Sequence, residues 1–339
     1  MSRPSHLLLV LAVLLAAAAS PSTAFATQRG GKVAAARTAR AKAARQRLTT
    51  RPVKAARPIR PRHWRSMMAA LDPSKPIVLI SDHDDTLVPS WKLTKAPAAN
   101  MSPKMKRLLA RAARRTDTDV VISSGSPLHK LEVFYDGVDA DLLGNFGMQT
   151  RVGGQHGEDP VARRARRAVT RTADAAEALA LQQGLSADVV RRKGTSLSFH
   201  QGTMSEAAWH SYRDALLPLI AQEPKLEAHV KGESVEVVPK GAGSKRVSLE
   251  RWLASKHGPD WRGKVNLVYV GDSGGKGGGD EPAFKFVTEH GGVGILVRHG
   301  SAHDPDTAAR HYAKDMNDVE RLVGWVAGRR GPRAKDAAR

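Results

Sequence analysis

The stretch Pro76-Ile77-Val78-Leu79-Ile80-Ser81-Asp82-His83-Asp84-Asp85-Thr86-Leu87 decides the fold. Residues 76–80 are a short, continuous apolar run, which predicts a parallel strand buried on both faces. Acids follow at once. On an extended segment the carboxylates of Asp82 and Asp84 point the same way, so that one can attack phosphorus while the other handles protons. By itself such a run also fits a surface turn rich in acids.

Outward from this stretch the same grammar repeats. Ser102 and Pro103 open a helix as its N-cap and first residue, with Leu108, Leu109 and Ala112 as the buried stripe. Asp119-Val120-Val121-Ile122 reads as a second buried strand, ending in Ser123-Ser124-Gly125. Asp141-Leu142-Leu143 leads into Gly144-Asn145-Phe146-Gly147, and residues 265–270 and 294–297 read as further strands. Strands alternating with helices at this spacing predict an α/β fold around a parallel sheet. Residues 153–239 read differently. They hold helices over 163–181 and 206–221, and alternating, half-exposed strands at 196–200 and 226–238. This predicts an inserted α+β domain.

Three more clusters follow predicted strands, where open α/β sheets bind ligands. Ser124, with the amides beside it, can hold a phosphoryl oxygen, although Ser-Gly after a strand is also a plain turn. Lys245 at a helix start can offset the charge of an aspartate and a phosphate together, or be an ordinary solvated lysine. Gly271-Asp272-Ser273 and, beyond a glycine-rich stretch, Asp280-Glu281 offer oxygen ligands that suit Mg²⁺. The glycines at 274–279 lack the spacing of a phosphate-binding P-loop, so that reading is rejected.

In this order the four clusters resemble the motifs of haloacid dehalogenase (HAD) superfamily phosphatases, and more closely those of the trehalose-6-phosphate phosphatase family. The resemblance runs from about residue 76 to 300. It is carried by residues 82–89, Met101-Ser102-Pro103-Lys104-Met105, Gly144-Asn145-Phe146-Gly147, residues 193–200, Val235-Glu236-Val237-Val238-Pro239 and Gly271-Asp272. It implies an α/β, HAD-like Rossmannoid core with an inserted α+β cap. Asp82 would be the nucleophile, forming an aspartyl-phosphate. Asp84 would protonate the leaving oxygen and then activate water, and its backbone carbonyl would bind Mg²⁺. Ser124 and Lys245 would hold the phosphoryl group. Asp272 would ligate Mg²⁺ with Asp82, and Asp280 would support it. Lys193 and Glu236 match cap positions that would contact the sugar, and Thr86, Gly125 and Asn145 join them as substrate-binding positions.

The chain departs from the family pattern at five places. Asp85 stands where Gly is usual, Ser126 where Arg is usual, Phe146 where His is favoured, and Ser273 where a second Asp is usual. Extra glycines also push Asp280 further along. The expected function is a Mg²⁺-dependent phosphatase acting on a phosphorylated sugar, with trehalose 6-phosphate the nearest named substrate. A second reading, from another class, is a catalytically weak protein of the same fold that binds sugars or polyanions at a surface.

The 339 residues suit one large or two medium domains, and 41% apolar content is enough for a core. The formal charge of +21 sits mainly in two tails: residues 27–65 hold 13 Lys or Arg and no acid, and residues 329–339 hold five against one. The charge therefore gives no reason to expect a specific nucleic-acid partner. Residues 27–65 read as a disordered basic linker, either solvated or attached to a polyanion. Arg3, the apolar run at 7–19 and Ala24-Phe25-Ala26 have the pattern of a signal peptide over 1–26, the alternative being an uncleaved anchor. Cleavage would leave an exported protein, periplasmic or secreted, with no transmembrane span. The expected core then comprises residues 66–152 and 240–328, with the cap at 153–239 and a basic tail at 329–339. No cysteine is present, which excludes disulfides and thiol catalysis.

Overall fold

A computed structural model describes Arg57–Pro58, Met67 and residues 71–89, 101–299 and 306–328. The segments expected to be a signal peptide and a basic C-terminal tail, and most of the expected basic linker, lie outside the described residues.

The strands are β1 (Arg57–Pro58), β2 (Ile77–Ser81), β3 (Thr118–Ser123), β4 (Asp141–Gly144), β5 (Gln149–Val152), β6 (Gln155–Glu158), β7 (Val190–Arg192), β8 (Leu197–His200), β9 (Leu226–Lys231), β10 (Ser234–Pro239), β11 (Asn266–Gly271), β12 (Val293–Val297) and β13 (His311–Ala313). The helices are α1 (Pro103–Ala113), α2 (Leu128–Phe134), α3 (Pro160–Gln182), α4 (Glu206–Ala221), α5 (Lys245–His257), α6 (Glu281–Glu289) and α7 (Met316–Gly328).

A nine-stranded sheet has the order β1-β13-β12-β11-β2-β3-β4-β5-β6. It is parallel from β1 to β4 and antiparallel from β4 to β6. Every residue of β2 and β11 is buried, which explains their unbroken apolar reading. Leu109, Leu131, Leu322 and Val323 pack on one face of the sheet, while Leu249, Leu253, Phe284 and Phe286 pack on the other. Helix α1 starts as its sequence predicts: the Met105 amide donates to Ser102 Oγ at 3.4 Å. Its buried stripe is Met105, Leu109 and Ala112, with Leu108 only partly buried.

The second sheet, β7-β8-β10-β9, has four antiparallel strands. Leu197, Phe199, Val235 and Val237 on one of its faces pack against Ala173, Ala176, Trp209 and Leu216 of α3 and α4. Ser198 stands opposite Glu236 in the register and therefore shares the other face with it.

Two boundary expectations and one of exposure need correction. Residues 57–58 fall in the predicted linker, yet they form β1, because β13 leaves a parallel edge that an extended segment can cover. The insert expected from residue 153 instead begins with α3, since the β5–β6 hairpin extends the large sheet to Glu158. The strand at residues 196–200, expected to be half-exposed, is almost wholly buried, because β8 is an inner strand.

Candidate active site

Strand β2 ends at Ser81, and the Asp82 amide continues its ladder by donating to the Val270 carbonyl at 2.8 Å. This fixes Asp82 beside the end of β11, where Gly271 and Asp272 follow. Helix α5 begins with Lys245, whose buried ammonium lies 2.6 Å from Asp82 Oδ1 and 2.5 Å from Asp280 Oδ1. Carboxylate oxygens of Asp82, Asp272 and Asp280 all lie within 4.8 Å of one another.

Three acids and one lysine in so small a space perturb one another. Burial, and then the charge of Asp280, raises the Asp82 carboxyl well above the ordinary range despite the compensating Lys245. The same causes push Asp272 up to about 6. Burial opposes the charge on Lys245, but Asp280 and Asp82 outweigh it and hold the ammonium above its usual value.

Asp280 is held from three sides. Its Oδ1 accepts from Lys245 and from the Tyr269 hydroxyl at 2.5 Å, and its Oδ2 accepts from the Ser273 amide at 2.9 Å. With both oxygens engaged, Asp280 orients Lys245, and Asp82 and Asp272 are the carboxylates better placed to ligate a cation. A Cβ at Gly271 would come 2.4 Å from Asp280 Oδ2, so only glycine admits this approach. The hard oxygen donors fit Mg²⁺ in chemical type.

The altered fourth motif is closed by its own residues. Ser273 Oγ accepts from the Gly279 amide at 2.9 Å. Glu281 accepts from the Gly275 amide, from Thr307 Oγ1 and from the Ala308 amide at 2.9, 2.6 and 2.8 Å. The added glycines therefore form a pinned loop that returns Asp280 to Lys245.

The Asp84 carboxylate is outside the three-acid cluster. It is half-exposed and accepts from Ser126 Oγ at 3.1 Å, where solvent and a leaving group can reach it. Its neighbour His83 is buried, with Nδ1 2.9 Å from the Tyr135 hydroxyl. Asp85 takes a φ of 54° in the place of the usual Gly, and His299 Nε2 bonds its carbonyl. Thr86 is fully buried, and its hydroxyl has no partner among the described residues.

The loop after β3 is zipped to the turn after β4. The Asn145 amide donates to the Ser126 carbonyl at 2.7 Å, and the Phe146 amide donates to that of Ser124 at 2.8 Å. Ser124 Oγ accepts from the Ser126 amide at 2.9 Å. The ring of Phe146 lies so close over Gly125 that a Cβ there would sit 2.7 Å from Cζ.

The side chain of Asn145, expected to contact substrate, is engaged within the protein. Its amide nitrogen donates to the Lys193 carbonyl at 3.2 Å and to Thr195 Oγ1 at 2.5 Å, and its oxygen accepts from Ser196 Oγ at 2.5 Å. A buried amide so occupied ties the core to the insert. Lys193 and Glu236 do meet, with Nζ 2.9 Å from Oε2, and the ammonium lies 5.8 Å from the centre of the Phe146 ring. Tyr269 is a site residue that its residue type did not reveal, since one tyrosine in an aliphatic strand reads as core. Only its place two residues before Gly271 pointed to the site.

The sequence profile described as Trehalose-phosphatase matches residues 80–317. The chain belongs to the trehalose-phosphatase family. It is thus a phosphoric monoester hydrolase of the sugar-phosphate class, with the HAD-like core and inserted domain expected. The C-terminal domain of the C. albicans trehalose-6-phosphate phosphatase is similar, with 19% identity, a TM-score of 0.63, and 81% of this chain and 99% of that one covered. An Aspergillus fumigatus trehalose-6-phosphate phosphatase has 17% identity, a TM-score of 0.55 and coverage of 80% and 100%. A trehalose-6-phosphate phosphatase related protein has 17% identity, a TM-score of 0.57 and coverage of 74% and 96%. No curated protein sequence matches the chain.

Proposed function

We propose that the chain is an exported, Mg²⁺-dependent phosphatase that hydrolyses a phosphorylated sugar through an aspartyl-phosphate on Asp82, with trehalose 6-phosphate the nearest named substrate. The observation that carries this reading is the buried Lys245 between Asp82 and Asp280, with Asp272 in the same cluster. Lys245 keeps Asp82 oriented and offsets its charge as an anionic ester approaches. An Asp82 oxygen attacks phosphorus, and the ester bond breaks as the Asp84 carboxyl gives its proton to the leaving sugar oxygen. Asp84 then takes a proton from water, whose oxygen attacks phosphorus and releases phosphate and free Asp82. Lys245, Ser124 and the adjacent loop amides hold the phosphoryl oxygens. Asp82, Asp272 and the Asp84 carbonyl would hold Mg²⁺, which supplies charge neutralisation at the phosphoryl group when bound.

The residues on the insert support a cap over the sugar. Lys193 offers donors and Glu236 offers acceptors beside the Ser124–Ser126 loop. Export rests on the N-terminal sequence pattern, and a polyanionic contact rests on the basic segment after it. The binding-protein reading rested on the altered fourth motif and on the basic tail; the pinned loop that returns Asp280 to Lys245 weakens the first of these and leaves the second untouched. The test is phosphate release by the full chain from a sugar-phosphate panel that includes trehalose 6-phosphate. Release should require Mg²⁺ and vanish in Asp82→Asn; activity surviving that substitution would falsify the mechanism.

A further inference from the structure

Phe146 occupies a backbone conformation that its residue type rarely takes. Its φ is 59° and ψ 28°, directly after Asn145 at φ 52°. Asn and His enter this left-handed region several-fold more readily than a bulky aromatic does. The two backbone hydrogen bonds to the Ser124–Ser126 loop leave the turn no easy relaxation. A strained residue fixed in this way, beside a reaction centre, points to a role for its side chain.

The ring's surroundings show what that role is. It lies against Gly125, in the loop that holds the phosphoryl group. The Lys193 ammonium, paired with Glu236, lies 5.8 Å from its centre. Phe146 is only partly buried, with its packing supplied by the small cluster of Met148, Ala162, Val238 and Ala242. It therefore stands between the phosphoryl end and the sugar-facing pair, where a leaving group must lie. An aromatic face there offers no hydrogen bond. It rewards a partner that presents C–H bonds in a plane, as one side of a ring-closed sugar does.

We infer, resting on the function proposed above, that Phe146 is a specificity-determining residue whose ring selects phosphate esters of ring-closed sugars over those of acyclic polyols. A flexible chain of hydroxyls cannot lay a continuous apolar face on the ring, and its hydroxyls would lose water there without a replacement partner.

The test compares kcat/KM for three substrates of the full chain with Mg²⁺: glucose 6-phosphate, sorbitol 6-phosphate and acetyl phosphate. The last carries no sugar and reports the phosphoryl chemistry alone. The wild type should prefer glucose 6-phosphate to sorbitol 6-phosphate by about tenfold, the scale of one good aromatic contact. Phe146→Leu, which keeps apolar bulk, and Phe146→Asn, which suits the backbone, should each reduce that ratio to about one. Acetyl phosphate should change less than about twofold, and Phe146→Tyr should keep the preference. A ratio that does not move in Phe146→Leu overturns the inference, as does a parallel loss on all three substrates, which marks a purely structural ring. Melting temperatures identify a variant that fails to fold, and Phe146→Leu decides alone if Phe146→Asn does so. A wild type inactive on these three substrates and on trehalose 6-phosphate refutes the proposed function; an active one with an unmoved or unreadable ratio refutes only the role of Phe146.

Discussion

One lysine serves two buried carboxylates, and that sharing sets the energetics of the site. Removing Lys245 leaves Asp82 and Asp280 facing each other without a counter-charge, and breaking such a buried pair costs about 3–5 kcal/mol. Lys245→Met should therefore lower the urea midpoint substantially at neutral pH, and Lys245→Met with Asp280→Asn should regain a large part of the loss. Simple additivity of the two changes would mean that the groups are not coupled. Tyr269→Phe removes a hydrogen bond to a charged group, worth about 1.5–3 kcal/mol, and should lower kcat by loosening Asp280 and hence Lys245. Gly271→Ala should act on the same carboxylate by collision, giving a folded but slow enzyme, checked by circular dichroism beside a phosphate-release assay. The sequence made Lys245 and the acids legible because each follows a strand end. It could not reveal that Asp280's oxygens are already bonded, because the partners lie 7, 11 and 35 residues away along the chain.

Between the turn after β4 and the loop before β8, Asn145 acts as a buried latch. Its left-handed backbone makes glycine the clean probe, since Asn145→Gly deletes the amide without adding strain. The change strands two buried hydroxyls, on Thr195 and Ser196, at a cost of about 1–3 kcal/mol each. Amide exchange should quicken in Leu197–His200 while β2 and β11 stay protected; equal protection in both proteins would show that the latch bears no load. At the far end of β8, burial and then the positive charge of Arg191 hold His200 down from 6.5 to about 4. Folding therefore favours its neutral form. That stability is present above pH 6.5 and is lost as the pH falls towards 4, so unfolding midpoints should drop over this window, and His200→Gln should flatten the drop. Helix α4 and strands β2 and β11 were legible from period and burial alone. The β5–β6 hairpin was not, since its residues are exposed or only partly buried and carry no apolar alternation.

At the scale of the whole molecule, the chain brings together carboxylates that repel one another. Asp82 closes β2, Asp272 follows β11, and both are raised by burial and by the charge of Asp280. The longer parallel strands that carry them were readable, whereas the short strands β1 and β13 were not, because two or three residues give no period. A folded body that holds such acids close is less stable than it would be with the repulsion relieved, and a divalent cation relieves it. A ligand that binds only the folded state, at a hundredfold excess over its Kd, adds about 2.7 kcal/mol. For a folded body of this size each kcal/mol moves the melting temperature by about 2–4 °C. Saturating Mg²⁺ should therefore raise Tm by about 5–10 °C, with a chelator reversing the change. Asp272→Asn should start from a higher metal-free Tm, since one repelling charge is gone, and gain little from Mg²⁺. The opposite pattern, a lower starting Tm with an undiminished Mg²⁺ response, would show that Asp272 supports the fold and that the cation is held elsewhere.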